Sequence, residues 1–150
     1  MKVSEIMTKD IIFVRIDTKI NEVSQLLTKH GIHGVPVLSD SGLIQGIITE
    51  SDFFIKDIPN LYLPSYLDFL KKASLMKEID NTEKEKMEIL LKATAKDIMT
   101  TNCFTISDET DVRELLNIFK TRHFYTMPVV NSSKTLVGII TLADIVKMFK

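Results

Sequence analysis

The sequence is poor in cysteine and carries almost no surplus charge, and each shortage excludes a class of protein. Its 150 residues include one cysteine, Cys103, which excludes an intramolecular disulfide and a cysteine-based zinc cluster. The 19 basic and 20 acidic residues leave a net charge of −1 at pH 7. Such a chain has no overall positive field to attract nucleic acid, and we expect no nucleic-acid partner.

Long apolar runs are also missing. The first ten residues, MKVSEIMTKD, lack the apolar core of a signal peptide. No stretch approaches the roughly 20 apolar residues that a membrane span requires. We therefore expect no membrane insertion and a cytoplasmic location. The composition, 45% hydrophobic and 26% charged, is ordinary for a globular protein with a buried core.

The chain does contain a second copy of itself. At an offset of 92 residues and without a gap, residues 3–54 align with residues 95–146 at 13 identical positions out of 52. The identities include IMT, PV and GIIT in the same order, and Asp52 aligns with Asp144. A colinear series of this kind predicts a duplicated structural unit.

Each copy has the apolar pattern of a strand, a helix, two strands and a final short helix. The predicted strands are 11–14, 35–38 and 43–48 in the first copy, and 103–106, 127–130 and 136–140 in the second. The buried helix faces are predicted to be Ile20, Val23, Leu26 and Leu27, and Val112, Leu115, Leu116 and Phe119. A proline inside the second strand of each copy predicts an edge position or a strand start.

The chain is thus predicted to comprise unit 1–54, an insert at 55–94 and unit 95–150. The insert is patterned as two helices, the second opened by the capping sequence TEKE at 82–85. Apolar residues near position 62 either pack onto the protein itself or form a partner surface. Both interpretations stay open.

The repeated motif GIIT-x-x-D places a threonine and an aspartate at the end of a strand and the start of a helix. We name Thr49 with Asp52 the first Thr–Asp pair, and Thr141 with Asp144 the second. One interpretation is a helix cap, which stabilises a helix by about 1 kcal/mol. The other is a nucleotide site, in which threonine and the helix N-terminus bind phosphate and aspartate accepts from ribose hydroxyls.

The paired pattern IMT, helix, VPV, GIITESD and IMT, helix, MPV, GIITLAD resembles the cystathionine β-synthase (CBS) domain, which occurs in tandem pairs. The resemblance covers residues 3–54 and 95–149. It implies an α/β fold of two β-α-β-β-α repeats, related by a pseudo-twofold axis and packed through their sheets. It also implies a homodimer that senses adenine nucleotides such as AMP, ADP or ATP and regulates another protein.

By position, the resemblance implies two nucleotide sites, each drawing on both repeats. The first would comprise Thr49, Asp52 and Ile47, with Thr100, Phe104, Phe124 and Tyr125 from the other repeat. The second would comprise Thr141, Asp144 and Ile139, with Thr8, Ile12, Ile32 and His33.

Charge distinguishes the two predicted sites. Glu50 stands beside Thr49, where a carboxylate repels an approaching phosphate, whereas Leu142 holds the equivalent place in the second. We therefore expect a phosphorylated ligand at the second pair first. The basic residues that often precede the family's second strand are replaced by Gly34 and Thr126. Arg122 at the end of the second helix either supplies a basic group or only compensates the helix dipole.

No arrangement of residues indicates catalysis. Three histidines and one cysteine give no nucleophile–base pair, no metal cluster and no phosphate-binding loop of the P-loop type. We expect a regulatory module with an adenine-nucleotide ligand, no catalytic cofactor, and an output through an unidentified partner. S-adenosylmethionine and adenosine are alternative ligands. A ligand-free dimerisation or interaction module, in which the Thr–Asp pairs only cap helices, is the alternative function.

Overall fold

The computed structural model describes residues 1–53 and 92–149, which form two similar units. The first unit contains α1 Val3–Ile6, β1 Val14–Arg15, α2 Ile20–His30, β2 Gly34–Leu38, β3 Ile44–Thr49 and a 3₁₀ turn, Glu50–Phe53. The second contains α3 Ala95–Ile98, β4 Ile106–Ser107, α4 Val112–Arg122, β5 Thr126–Val130, β6 Leu136–Thr141 and α5 Leu142–Lys147. The predicted α/β class is confirmed. The helices predicted within the 55–94 insert lie outside the described residues.

Each unit is built on a three-stranded sheet, with the order β1-β2-β3 in one and β4-β5-β6 in the other. The outer strands β1 and β4 run parallel to the middle strand, and β3 and β6 run antiparallel to it. Pro36 lies opposite Ile47, and Pro128 lies opposite Ile139, at the equivalent place. The duplication therefore extends to the strand register.

The first strand of each unit is shorter and begins later than predicted. The predictions were 11–14 and 103–106, whereas β1 and β4 each comprise two residues and begin at Val14 and Ile106. Those two residues are the only fully buried members of the predicted stretches. The residues ahead of them, 11–13 and 103–105, belong to no strand, and none of them is fully buried.

The middle strands contain the prolines, so the prediction of an edge position was wrong. Pro36 is tolerated because β1 pairs with β2 only from Val37 onward, which leaves no β1 residue opposite the proline nitrogen. Ile47, opposite Pro36 on β3, exchanges its backbone hydrogen bonds with Thr100 instead, at 3.1 and 2.9 Å. The proline therefore interrupts no hydrogen bond of the sheet.

The two long helices bury nearly the predicted faces. Ile20, Val23 and Leu27 of α2 are buried, as are Val112, Leu115 and Phe119 of α4. Leu116, predicted to be buried, is 41% exposed, and Ile118 packs against the core in its place. Ile118 lies three residues after Leu115 and so on the same face of the helix. Leu116 is rotated by 100° from Leu115, away from Ile118. The predicted final helix of the first unit is the four-residue 3₁₀ turn.

The first residues of each unit pack against the core of the other unit. We call residues 1–8 the first leading segment and residues 93–100 the second. In the first, Val3 N donates to Thr110 O at 2.9 Å, and its fully buried side chain belongs to the core of the second unit. In the second, Ala95 N donates to Thr18 O at 2.7 Å, and Ala95 lies in the core of the first unit.

This exchange explains the glycine of the repeated GIIT motif. Thr8 and Ile139 exchange two backbone hydrogen bonds of 2.9 Å, and Thr100 and Ile47 exchange two of 2.9 and 3.1 Å. A Cβ atom on Gly46 would lie 2.6 Å from Thr100 O, and one on Gly138 would overlap the Met7 side chain. The exchange, with its short helices α1 and α3, was not predicted from the sequence.

Candidate functional site

A cleft of about 1110 Å³ is lined by residues of both units. Its walls include thirteen of the fourteen predicted site residues: Thr8, Ile12, Ile32, His33, Ile47, Thr49, Thr100, Phe104, Phe124, Tyr125, Ile139, Thr141 and Asp144. Asp52, the fourteenth, lies beside the wall and accepts a hydrogen bond from Thr100 Oγ1 at 3.3 Å. The two predicted sites are therefore parts of one continuous cleft.

The units meet at the start of their middle strands, which brings the two Thr–Asp pairs to this cleft. Gly34 begins β2, and a Cβ atom there would lie 3.4 Å from Thr126 Cγ2, at the start of β5. Gly34 pairs with Thr49 across the first sheet, and Thr126 pairs with Thr141 across the second. Both threonines therefore stand close to the contact between the units.

The second Thr–Asp pair forms a complete capping box. Asp144 Oδ2 accepts from Thr141 N at 2.9 Å and from Thr141 Oγ1 at 2.8 Å, and Asp144 N donates back to Thr141 Oγ1 at 3.3 Å. Asp144 Oδ1 accepts from Lys147 Nζ at 3.0 Å and from Thr8 Oγ1 at 3.4 Å. The carboxylate is 5% exposed, and protein donors reach both of its oxygens.

These contacts keep Asp144 ionised. Burial favours its neutral form, but the hydrogen bonds from Thr141 and Lys147 outweigh burial and hold the pKa of the carboxyl below its usual value. The group is therefore an acceptor at neutral pH, which a ribose diol requires.

The first Thr–Asp pair is more open. Asp52 Oδ2 accepts from Thr49 N at 2.7 Å and from Thr49 Oγ1 at 3.3 Å, and Ser51 Oγ lies 2.8 Å from Thr49 Oγ1. Glu50 Oε1 lies 3.2 Å from His33 Nδ1, and both side chains are at least half exposed. His33, predicted for the second site, thus contacts Glu50 beside the first Thr–Asp pair.

A third Thr-x-x-Asp sequence gives an internal comparison. Thr94 N and Oγ1 donate to Asp97 Oδ2 at 2.7 and 3.0 Å, the same contacts as in the other pairs. The backbone hydrogen bond from Thr94 lowers the pKa of Asp97. Neither residue lines the cleft. The capping contacts alone therefore do not mark a ligand site, and the other two pairs differ from this one because their threonines line the cleft.

Aromatic side chains cover part of the cleft wall. The Phe104 and Phe124 rings stack with centroids 5.6 Å apart, and both pack against the second core. Arg122 lies over the Phe104 ring, with Cζ 5.0 Å from its centroid. Tyr125 is 67% exposed, so its ring is the aromatic surface that a planar group can reach without displacing core residues.

Comparison with known proteins agrees with this geometry. The family model described as the CBS domain matches residues 3–57 and again residues 95–150, which is more than half of the chain. The chain belongs to the CBS domain family. Its two units are a tandem CBS pair, as the sequence predicted.

Individual relatives cover the whole CBS pair. An uncharacterised protein of Methanocaldococcus jannaschii, MJ1426, is 31% identical over 98% of this chain and 90% of its own length. A crystal structure of CBSX2 in complex with AMP, from Arabidopsis thaliana, superposes with a TM-score of 0.72 at 21% identity, covering 99% of this chain and 95% of that one. A CBS pair of protein MJ0100, in complex with 5′-methylthioadenosine and S-adenosyl-L-methionine, gives 0.69 at 24% identity over the full length of both chains. The two structures show that the fold is that of a CBS pair.

Lys147 lines the cleft of the CBS pair but was not among the predicted site residues. It ends α5, lines the cleft and contacts Asp144, although its side chain is 67% exposed. The spacing Asp144-x-x-Lys147 places the two side chains on one helix face, and that signal was available in the sequence. Its equivalent by offset is Ile55, which carries no charge.

Two other findings concern the described part of the CBS pair. None of its helices has both the length and the apolar character needed to cross a bilayer. Within residues 1–53 and 92–149, no three histidine, cysteine or acidic side chains come together as a metal site would require.

Proposed function

We propose that this chain is a regulatory CBS module that binds an adenine nucleotide of the AMP, ADP or ATP type in the cleft between its units. The observation that carries the proposal is that Thr49, Thr141 and Asp144 line one cleft between the units, with Asp52 beside its wall. The cleft volume lies just above the range of about 300–1,000 Å³ seen for small-molecule sites. Crystal structures of related folds with AMP and with S-adenosylmethionine support the choice of an adenosyl ligand.

The proposed residue roles follow from chemistry and placement. Asp144 accepts from the ribose hydroxyls, and Thr141 donates to a phosphate after giving up its bond to Asp144. Apolar contact with the sugar and base comes from Ile139 and from Ile12 and Ile32 of the other unit. The first pair, with Thr49 and Asp52, takes a second ligand less readily because of Glu50.

A thermal-shift panel with AMP, ADP, ATP, adenosine and S-adenosylmethionine tests the proposal. A ligand at one hundred times its dissociation constant stabilises the folded state by about 2.7 kcal/mol. In a domain of this size we expect a rise in Tm of several degrees for at least one adenine nucleotide. Equal concentrations of guanosine and uridine monophosphates serve as controls, and we expect smaller shifts from them.

The second candidate function is a ligand-free interaction module. It is favoured by the capping contacts, since both aspartates accept from the backbone N–H and the hydroxyl of their own threonine. Under this alternative no compound in the panel raises Tm. A flat panel would therefore replace the nucleotide sensor with the interaction module.

We also propose that the module is a homodimer and acts on a partner protein rather than on a substrate. The dimer rests on the family resemblance. Light scattering coupled to size-exclusion chromatography is expected to give a mass of about 34 kDa, twice the 17.1 kDa of the chain. A mass of one chain at all concentrations would contradict the dimer.

A further inference from the structure

Lys147 and Asp144 form the one ion pair that the described residues place on the cleft wall with a buried carboxylate. Lys147 Nζ lies 3.0 Å from Asp144 Oδ1, with the lysine side chain 67% exposed and the aspartate 5% exposed. The lysine therefore reaches from solvent to a carboxylate that the protein otherwise encloses. A long, exposed side chain of this kind changes partner at low cost.

The hydrogen bonds of Asp144 already occupy both carboxylate oxygens that a sugar hydroxyl would donate to. Oδ2 is taken by two donors from Thr141, and Oδ1 is taken by Lys147 and, at 3.4 Å, by Thr8. A ribose hydroxyl that donates to Oδ1 must displace at least one of these groups. Displacing Lys147 leaves the buried carboxylate without its cation, which is unfavourable. A new ion pair between the lysine and another anion would offset that cost.

Other basic side chains are less suited to the second Thr–Asp pair. Arg122 also lines the cleft, but its guanidinium lies over the Phe104 ring. His33 contacts Glu50 beside the first pair. Among the described residues, Lys147 is the basic group in direct contact with the second pair.

We propose that Lys147 exchanges partners when a nucleotide binds, and that this exchange makes the second Thr–Asp pair selective for phosphorylated adenosine. The ligand's phosphate takes Lys147 Nζ from Asp144, and Asp144 Oδ1 then accepts from a ribose hydroxyl. Adenosine supplies the hydroxyl without the anion, so it must compete with the intact ion pair. This inference rests on the proposed function, since it describes how the same cleft distinguishes its ligands.

Calorimetric titration of AMP and adenosine into the full chain tests the exchange. The variants are Lys147→Met, which removes the charge and keeps a flexible apolar stem, and Lys134→Met as the matched control. Lys134 lies in the turn between β5 and β6, whereas Thr126 is at the other end of β5. Lys134 does not line the cleft. We expect Lys147→Met to weaken AMP binding by about ten-fold or more, as loss of a charged hydrogen bond implies.

The response to adenosine distinguishes the exchange from simpler roles. The exchange predicts that Lys147→Met tightens adenosine binding, because no ion pair then competes for Asp144. Equal weakening of AMP and adenosine would overturn the proposal and make Lys147 a group that only positions Asp144. An unchanged AMP affinity would also overturn it. Wild-type protein that binds neither compound would instead remove the proposed function itself.

Discussion

Two glycines at equivalent positions, Gly46 and Gly138, allow the leading segments to approach the last strands closely. The nearest atom to a Cβ on Gly46 is the backbone oxygen of Thr100, at 2.6 Å. The nearest atoms to a Cβ on Gly138 belong to the flexible Met7 side chain, and the backbone oxygen of Thr8 is 3.1 Å away. The cost of an added methyl therefore depends on whether backbone or side chain must move.

We expect Gly46→Ala to lower the free energy of unfolding by about 2–3 kcal/mol, within the range for overpacked cores. Gly138→Ala is expected to cost about 1 kcal/mol, since Met7 can adopt another rotamer. Urea unfolding of the two variants measures the difference. Equal losses, or a larger loss for Gly138→Ala, would show that the leading segments do not approach as described.

Asp144 gives a pH-dependent prediction because its pKa is lowered in the folded state. A carboxyl with a lowered pKa stabilises the fold above its unfolded-state pKa, near 4, and this contribution is lost as pH falls through the folded-state pKa. Asp144→Asn should cost about 1–2 kcal/mol at pH 7 through weakened capping and loss of the Lys147 pair.

The difference between wild type and Asp144→Asn is expected to shrink as pH is lowered from 5 toward 3. Denaturant unfolding at a series of pH values measures it. Asp111→Asn is a useful comparison, since Asp111 also has a lowered pKa, from the Arg113 backbone N–H, but lies at an exposed helix cap away from the cleft. A constant difference across the pH range would mean that the Asp144 carboxylate is not the stabilising species.

At the scale of single residues, the sequence predicted placement better than contacts. Thirteen predicted site residues line the cleft, and their positions were those implied by the resemblance to the CBS domain. Lys147 was not predicted because its contact with Asp144 depends on side-chain rotamers, which the i,i+3 spacing permits but does not determine. His33 contacts Glu50 because the loop before β2 lies next to the end of β3, a pairing that side-chain periodicity does not reveal.

At the scale of elements, the exchanged leading segments couple the two units. The four-residue helix α1 packs on the second unit, and α3 packs on the first, although each is joined in sequence to the other unit. The sequence predicted the strands and long helices from local patterns. It could not predict the exchange, since the Thr8–Ile139 and Thr100–Ile47 contacts are backbone hydrogen bonds between distant residues.

Val3 tests this coupling. It is fully buried in the core of the second unit, about a hundred residues away in the chain. We expect Val3→Ala to lower the free energy of unfolding by about 1–3 kcal/mol through lost burial and the cavity left behind. Met1→Ala, at a 62% exposed position in the same segment, is expected to change stability by less than about 0.5 kcal/mol.

Thermal or urea unfolding of both variants provides the measurement. If Val3→Ala were as harmless as Met1→Ala, the first leading segment would be a loosely attached terminus rather than part of the second core.

At the scale of the whole molecule, a symmetric fold carries an asymmetric charge pattern. Glu50 follows Thr49 in the first Thr–Asp pair, and Leu142 follows Thr141 in the second. Both Glu50 and Leu142 are at least 43% exposed. A carboxylate about 4 Å from a phosphate costs on the order of 1–4 kcal/mol, depending on the local dielectric. We therefore expect the half of the cleft beside Glu50 to bind a phosphate less readily than the half beside Leu142.

Substitutions at Glu50 and Leu142 should change which half of the cleft binds phosphate more tightly. We expect Leu142→Glu to weaken AMP binding about ten-fold or more, and Glu50→Leu to leave the tighter site unchanged while improving the weaker one. Calorimetry at low salt measures both, since screening reduces the effect at high salt. Identical AMP affinities for Leu142→Glu and wild type would show that phosphate does not bind beside the second pair.

The most direct test of the nucleotide-sensor account is titration of AMP into the wild-type chain by isothermal calorimetry. The account predicts saturable binding in which one AMP per chain fills the higher-affinity half of the cleft before any second molecule binds. No binding heat at several temperatures, together with no change in Tm, would contradict it and leave the Thr–Asp pairs as helix caps.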